Sequence, residues 1–529
     1  MELEQAVAQK VIVWFAGQQA PPELLALLRE QTIGGVTLFR HLNGGTPSEV
    51  RALTNSLQAA ARFNNHLPLL ICADQEGGQL QAIAGTTAFP GNMALGAAGD
   101  SELARRVGAA IGAELAAVGV NVNYAPACDV NINPANPVIG TRSFGEDPAL
   151  VARLTAAMVE GIQSAGVAAV AKHFPGHGDT AHDSHNTRAS VPHDRARLDA
   201  VELRPFREAI AAGVRGVMSA HLALPLLTGQ ADLPATFSPR LLRDLLRTEF
   251  HFDGVTISDA MNMAGIGADQ PFASLVVRAV AAGIDLLLLA PPNDHAEANA
   301  AILAAAHNGT LDPTNLQVSA GRVLALKHWL AEQVQPALDV IGNPAHRALA
   351  NEVAARAITL VRTEPGRLPL CLEPNERVAV VVPELADLTP ADTSSYERCE
   401  LARAVRRFHT NTDELIIPAD PSAQQVAELA TQLEAYDLVL IGTINAQTRP
   451  GQANLVSELV RRDVAVVAVA MRLPYDLVAY PEAHTYLCTY SILPPAMEAL
   501  ASALWGRAAL TGRLPTTIPG LFPIGYGIV

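Results

Sequence analysis

The chain is poor in cysteine, with five in 529 residues. They stand singly along the chain at Cys72, Cys128, Cys371, Cys399 and Cys488. An odd number of isolated cysteines matches neither a disulfide framework nor the paired spacing of a zinc site. Free thiols in a reducing compartment are therefore expected.

The sequence also has no uninterrupted apolar run of about 20 residues, the length that a membrane-spanning helix requires. The first residues, Met1-Glu2-Leu3-Glu4-Gln5, are acidic, and the first apolar run at 11–16 is short. A signal peptide needs a basic start and a longer apolar region. We therefore expect a cytoplasmic protein with no membrane partner.

An excess of basic residues is missing as well. The chain has 37 Lys and Arg against 52 Asp and Glu, a net charge of −15. Proteins that bind nucleic acid usually carry a basic surplus, so no nucleic-acid partner is expected. The hydrophobic fraction of 49% and charged fraction of 17% are typical of globular proteins. The length is sufficient for two or three domains.

Short apolar runs alternate with stretches of helical periodicity in the first two thirds of the chain. Eight such runs occur, at 11–15, 35–39, 69–73, 120–125, 167–171, 216–219, 254–257 and 284–289. Eight strand–helix alternations predict a TIM barrel, with a doubly wound sheet as the competing architecture.

A second alternating series follows and predicts a smaller parallel α/β sandwich domain. Its apolar runs lie at 378–382, 414–417, 438–441, 464–469 and 485–488. We place the barrel at 1–335, a linker at 336–350 and the second domain at 351–529. The series contains no glycine-rich phosphate loop of either common type, and no cofactor is predicted.

Polar residues follow five successive apolar runs of the first domain. In a barrel, functional groups lie at the carboxyl ends of strands, and chance would spread such residues over both ends. The convergence therefore indicates an enzyme. The candidates are Asp74, Arg142, Lys172 with His173, His221, and Asp259.

The segment 172–185 holds four histidines, two aspartates and a lysine. Residues two apart in an extended segment point the same way, so Asp183 can reach the ring of His185. A carboxylate bonded to one ring nitrogen raises the basicity of the other, which makes a general acid/base. The alternative is a surface turn with a solvated histidine.

Asp259 follows an apolar strand as a lone carboxylate and is a candidate nucleophile, with a helix N-cap as the alternative. Four further residues can form hydrogen bonds with sugar hydroxyls: Lys172, His173, Asp74 and Arg142. Structural ion pairs at the barrel rim are their alternative reading.

Metal binding is the rival interpretation of the histidine cluster. His173, His177, His182 and His185 are separated by four, five and three residues on a segment rich in glycine and proline. That spacing does not match the helical H-E-x-x-H pattern. No metal is predicted.

Several long motifs in the same order resemble the β-N-acetylglucosaminidase branch of family 3 glycoside hydrolases. They are Asp74-Gln75-Glu76-Gly77-Gly78, the stretch 133–144 ending in Gly140-Thr141-Arg142-Ser143-Phe144, Lys172-His173-Phe174-Pro175-Gly176-His177-Gly178-Asp179-Thr180 with Asp183-Ser184-His185, Val217-Met218-Ser219-Ala220-His221, and Phe252-Asp253-Gly254-Val255-Thr256-Ile257-Ser258-Asp259-Ala260-Met261. Motifs in register along most of a domain are far more specific than any single one.

The resemblance implies a TIM barrel and a retaining, two-step mechanism. Asp259 matches the nucleophile, His185 the acid/base and Asp183 the carboxylate paired with it. The residues that match the holders of the terminal sugar are Asp74, Arg142, Lys172 and His173.

The expected activity is an exo-β-N-acetylhexosaminidase that removes terminal β-linked GlcNAc from cell-wall or chitin-derived glycosides, with a role in peptidoglycan recycling. A phosphorylase and a β-glucosidase on the same site are the alternatives. A phosphorylase is kept because a neutral histidine, unlike a carboxylate, does not repel phosphate as acceptor. A metal-dependent barrel hydrolase and a non-catalytic sugar-binding protein are more distant. A homodimer is left open.

Two departures from the family pattern stand out. Gln79 occupies the position after Glu-Gly-Gly where the family usually has arginine. About 190 further residues follow the barrel, whereas many relatives end there. Because the barrel loop already supplies an acid/base, the second domain is expected to be structural, to form a dimer, or to line the cleft.

Overall fold

The first domain is a barrel of eight parallel strands. The computed structural model describes residues 1–30, 33–63, 67–184, 187, 189–267 and 270–529. The barrel strands are β1 (Val11–Val13), β2 (Gly35–Leu38), β3 (Leu70–Ala73), β4 (Val122–Asn123), β5 (Ala168–Phe174), β6 (Gly216–Ser219), β7 (Val255–Ser258) and β8 (Leu287–Leu288). They pair in the order β7-β6-β5-β4-β3-β2-β1-β8, and a parallel bridge between Ile257 and Leu286 joins the two edges. The predicted barrel is confirmed.

The barrel is filled because alternate residues of each strand point inward. Ile12 belongs to the inner cluster, whereas its neighbours Val11 and Val13 pack with the surrounding helices. The helix Pro313–Ala331 adds Val323 and Leu326 to the inner cluster.

Helices follow most barrel strands and cover the outside of the barrel. Their bounds are Leu3–Ala8, Pro22–Glu30, Arg40–Asn43, Pro47–Ala61, Asn92–Ala98, Ser101–Ala117, Pro148–Ser164, Arg195–Ala200, Arg204–Ala211, Pro225–Thr228, the π-helical segment Arg240–Glu249, Phe272–Ala282, His295–His307 and Pro313–Ala331. Two short strand pairs lie outside the barrel sheet: Gln75–Gly77 with Leu80–Gln81, and Ala189–Ser190 with Leu222–Ala223.

The second domain is a six-stranded sheet with helices packed on it. Its strands are β9 (Thr359–Arg362), β10 (Val378–Pro383), β11 (Thr412–Ile417), β12 (Leu438–Thr443), β13 (Val466–Ala470) and β14 (Tyr486–Cys488), in the order β9-β14-β13-β12-β10-β11. Five are parallel, as expected from the sequence. The sixth, β9, was not predicted and pairs antiparallel with β14.

The helices of this part are Pro344–Ala357, Leu401–Arg406, Ala423–Leu433, Pro450–Arg461 and Pro494–Leu504. The helix Pro344–Ala357 begins inside the segment 336–350 and packs against both Asn92–Ala98 of the barrel domain and Pro494–Leu504 of the second. The two domains therefore share a packed helix. The boundaries at 335 and 351 stay a prediction.

None of the described helices combines the length and the apolarity needed to cross a lipid bilayer. All five cysteines are free, and Cys371 is the exposed one among them.

Candidate active site

A cavity of about 610 Å³ lies at the carboxyl ends of the barrel strands. That volume is within the usual range for small-molecule sites. Five of the residues singled out in the sequence line it: Asp74, Arg142, Lys172, His173 and Asp259. They come from the ends of different strands, so the barrel brings together side chains up to 185 positions apart.

Two cations and two carboxylates form the base of the site. The Arg142 guanidinium binds Glu76 through Nε–Oε2 at 3.0 Å and Nη2–Oε1 at 2.8 Å. Lys172 Nζ lies 2.6 Å from Glu76 Oε1 and 2.5 Å from Asp74 Oδ1. All but Asp74 are almost fully buried. The network holds Asp74 at the cavity wall in a fixed orientation.

The charges in this network determine its protonation. Burial raises the pKa of Glu76, but Arg142 and Lys172 outweigh it and hold that pKa at about 2. Burial lowers the pKa of Lys172, yet Asp74 and Glu76 together raise it above its ordinary value. For Asp74, burial wins over the attraction of Lys172 and the pKa is raised. Glu76 and Lys172 are therefore both charged at neutral pH.

His173 is held between a carboxylate and the same guanidinium. Its Nδ1 lies 2.7 Å from Asp129 Oδ2, and its Nε2 lies 3.2 Å from Arg142 Nη2. Burial, with Arg142 and Lys172 nearby, holds the pKa of His173 well below its ordinary value, so the ring is neutral. The neutral ring therefore carries its proton on Nδ1, donates it to Asp129 and accepts from Arg142 on Nε2.

Asp259 directly follows β7, and its backbone N–H donates to Ser219 O at 3.1 Å. Its Oδ1 accepts from the Ala260 N–H at 2.8 Å. His221 contacts the residue after Asp259: its Nε2 donates to Ala260 O at 3.1 Å, and its Nδ1 lies 2.9 Å from Thr236 Oγ1. The sequence-predicted residue His221 therefore supports the backbone beside Asp259.

Asp183 lies in the segment after β5, and its side chain is mostly buried. The Thr187 N–H donates to Asp183 O at 3.0 Å. His185 itself lies outside the described residues.

The other two histidines of the cluster differ. His177 is buried, with Nδ1 2.8 Å from Thr180 Oγ1 and Nε2 2.9 Å from Ser184 Oγ. His182 is exposed. His173 and His177 thus direct their ring nitrogens to protein groups.

A different triad, Asp179, His193 and Glu202, has ligand atoms within 4.8 Å of one another. The Arg197 guanidinium lies 3.5 Å from Asp179 and 3.1 Å from Glu202, so a cation already sits between these carboxylates. We therefore read the triad as part of an ion-pair network.

The second domain forms one wall of the cavity. The lining residues it contributes are Asp387, Thr389, Pro390, Ala391, Asp392, Thr393 and Tyr396. The ring of Tyr396 is half exposed, and the Arg40 guanidinium lies 4.6 Å from its centroid. This wall of the cavity is therefore built from both domains.

Gln79 joins the two domains at this wall. Its backbone oxygen accepts from the Thr393 N–H at 2.8 Å, and its Nε2 donates to Ala391 O at 3.1 Å. Its Oε1 accepts from Arg472, whose other nitrogen binds Asp392 Oδ2 at 2.7 Å. A guanidinium is thus present beside this position, supplied by the second domain.

Two residues essential to the geometry were not assigned a role from the sequence. Glu76 holds Arg142 and Lys172 together, and Asp129 holds His173. Both residues stand in motifs that follow barrel strands. A carboxylate just after a strand end was therefore the sequence signal that could have identified them as site residues. Their partners lie 66 and 44 positions away, which local patterns do not reveal.

Comparison with known proteins agrees with this geometry. The glycosyl hydrolase family 3 N terminal domain matches residues 2–326. A β-hexosaminidase A of Pseudoalteromonas piscicida is 33% identical over 94% of this chain and 91% of its own length. A β-N-acetylglucosaminidase/β-glucosidase of Cellulomonas fimi is 34% identical over 93% of this chain and 90% of its own.

Among solved structures, a family 3 β-N-acetylglucosaminidase from Paenibacillus sp. str. FPU-7 superimposes with a TM-score of 0.92. It is 38% identical, and the match covers 98% of this chain and 99% of that one. The similarity therefore extends through both domains.

Proposed function

Because the chain belongs to glycosyl hydrolase family 3, we propose that it is a retaining, exo-acting β-N-acetylhexosaminidase that removes terminal β-linked GlcNAc. Family membership makes it a glycoside hydrolase with a carbohydrate substrate. The observation that carries the finer proposal is the placement of Asp259 in one cavity with Asp74, Arg142 and Lys172. A nucleophilic carboxylate beside fixed hydrogen-bonding groups is the arrangement that holding and attacking a terminal sugar requires.

In the first step, the Asp259 carboxylate attacks the anomeric carbon while the glycosidic C–O bond breaks. The leaving oxygen takes a proton from His185, whose partner is Asp183. In the second step, water gives a proton to His185, and its oxygen displaces Asp259 from the sugar. The two displacements together retain the anomeric configuration.

The electrostatics of the cavity support this chemistry. The transition states of glycoside hydrolysis resemble an oxocarbenium ion and carry positive charge on the sugar ring. Asp74 and Asp259 line the cavity, and Glu76 and Asp129 bind the lining residues Arg142 and His173. Four carboxyl side chains thus lie in or next to the site, against the two cations Arg142 and Lys172. Fixed carboxylates stabilise a developing cation without reorganisation.

The proposed test is a panel of aryl β-glycosides, GlcNAc against Glc, assayed with and without inorganic phosphate. We expect turnover of the GlcNAc glycoside, release of free GlcNAc, and a rate independent of phosphate. A sugar 1-phosphate as the main product would make the enzyme a phosphorylase. The glucoside is included because the Cellulomonas relative is named for both activities. Faster turnover of the glucoside would overturn the GlcNAc assignment.

We further propose that the substrates are peptidoglycan or chitin fragments handled in the cytoplasm. The buried free thiols support a reducing compartment. Fractionation of the native cells tests the location, and a comparison of chitobiose with a muropeptide tests the aglycone. We also propose a homodimer, which sedimentation tests.

A further inference from the structure

The segment between β5 and Ala189–Ser190 carries the predicted acid/base pair, and its two ends are tied together. Asp179 Oδ2 lies 2.6 Å from His193 Nε2, and Arg197 lies 3.5 Å from the same carboxylate. Gly178, near the start of the segment, packs against the backbone of Val130. A Cβ on Gly178 would lie 1.9 Å from the Val130 oxygen. The base of this loop, residues 178–191, is therefore fixed to the barrel.

Near the middle of the loop, Ser184 is held from two sides. Its Oγ lies 2.9 Å from His177 Nε2. On the other side, the Gly265 N–H donates to Ser184 O at 3.0 Å. A Cβ on Gly265 would lie 2.6 Å from that oxygen, so only glycine permits the approach. Ser184 directly follows Asp183 and directly precedes His185 in the sequence, so it is the described residue joined to both members of the predicted pair.

The two groups that hold Ser184 belong to the rest of the site. Gly265 lies six residues after Asp259. The His177 N–H donates to Asp129 Oδ1 at 2.7 Å, and Asp129 binds His173 through its other oxygen. Burial lowers the pKa of His177, so the ring is neutral and offers one donor and one acceptor. Thr180 takes one ring nitrogen and Ser184 the other.

We propose that His177 and Gly265 form a latch that seats Ser184, and that this seating is required for proton transfer by the acid/base pair of Asp183 and His185. His177 is then a positioning residue for proton transfer. The inference rests on the proposed function, in which this pair protonates the leaving group.

The test compares Ser184→Ala, His177→Phe and Gly265→Ala with the unaltered enzyme. The matched control is His182→Ala, because His182 lies in the same loop and its side chain is exposed. Each variant is assayed with a dinitrophenyl and a phenyl β-GlcNAc glycoside. GlcNAc inhibition reports sugar binding. The dinitrophenolate leaves without a proton, whereas the phenolate depends on the acid.

We expect kcat/KM for the phenyl glycoside to fall about tenfold or more in the latch variants. The dinitrophenyl substrate and GlcNAc inhibition should change less than about threefold, and His182→Ala should match the unaltered enzyme. Equal losses on both substrates would mean a merely structural role and overturn the latch. Unchanged kinetics in all three variants would also overturn it.

A second readout does not depend on activity. Hydrogen exchange of the Gly265 amide reports its bond to Ser184 O directly, and it should accelerate in Ser184→Ala and His177→Phe. Unaltered exchange would overturn the latch. His185→Gln separates the two proposals. If His185→Gln loses more activity on the phenyl than on the dinitrophenyl glycoside and the latch variants do not, the latch is wrong and the acid assignment stands. If His185→Gln shows no difference between the two substrates, the acid assignment fails, and the latch fails with it.

Discussion

Glu76 binds Arg142 through both carboxylate oxygens, at 2.8 and 3.0 Å, with both side chains buried. The same carboxylate lies 2.6 Å from Lys172. Breaking a buried ion pair leaves an uncompensated charge, which typically costs about 3–5 kcal/mol. The sugar-facing side of the site therefore depends on a residue that does not itself line the cavity.

Glu76→Gln tests this dependence. We expect a loss of roughly 3 kcal/mol in the free energy of unfolding, measured by urea denaturation, together with weaker GlcNAc inhibition. Glu49→Gln at an exposed helix start is the control for removing one carboxylate. Unchanged GlcNAc inhibition in Glu76→Gln would show that the network does not position the sugar ligands.

The same carboxylate gives a pH dependence. Because the folded state lowers the pKa of Glu76 from 4.5 to about 2, its contribution to stability is complete above pH 4.5. It is lost as the pH falls from about 4.5 to about 2. As the pH is lowered through this window, the free energy of unfolding should fall more steeply in the unaltered protein than in Glu76→Gln. Parallel curves would contradict this.

Asp259→Ala is expected to reduce turnover of an aryl β-GlcNAc by about 10³-fold or more, since the nucleophile is removed. Added azide should restore turnover and give the α-glycosyl azide, because azide attacks from the face where the carboxylate stood. Asp253→Asn, an exposed aspartate just before β7, is the control. A β-configured product or near-normal turnover without azide would remove Asp259 from its proposed role.

Asp129→Asn is expected to act through His173. The amide nitrogen would face His173 Nδ1 and move the ring proton to Nε2, where it meets the Arg142 donor. We expect kcat/KM to fall about 10- to 100-fold, the size of a lost charged hydrogen bond. A double-mutant cycle with His173→Gln checks the route, because losses that pass through one ring are not additive. Additive losses would place the effect elsewhere.

Gln79 gives a prediction about the second domain. Gln79→Ala removes contacts to Ala391 and Arg472, so we expect KM for chitobiose to rise about three- to tenfold, with little change for an aryl substrate. Gln79→Arg should be more damaging, because it adds a second guanidinium beside Arg472. Exposed Gln424→Ala is the control. Better binding in Gln79→Arg would show that Arg472 does not occupy the place of the family arginine.

The barrel could be predicted from the sequence because its strands are buried on both faces. Each strand therefore reads as a continuous apolar run. The sequence also predicted which end would be functional, since polar residues such as Asp74 and Asp259 stand at the carboxyl ends of those runs. The strand β9 was missed because Thr359–Arg362 is short and begins immediately after a helix. Its antiparallel pairing with β14, more than 120 residues later, has no local signal.

The partners within the site were beyond the reach of sequence patterns for the same reason. Asp129 and Glu76 gain their importance from the charges that the fold places beside them. Tyr396 and Thr393 come from a different domain, and nothing in their own stretch of sequence indicates a contact with the barrel residues Arg40 and Gln79.

The wall contributed by residues 387–396 has a consequence for how the enzyme meets a polymer. An exo-acting enzyme takes a saccharide by one terminus, and residues of the second domain line the cavity that receives it. Under the proposed activity, the rate on a polysaccharide then follows the number of chain termini and not the mass of material. A partner enzyme that cuts inside the polymer would raise that rate without touching this protein.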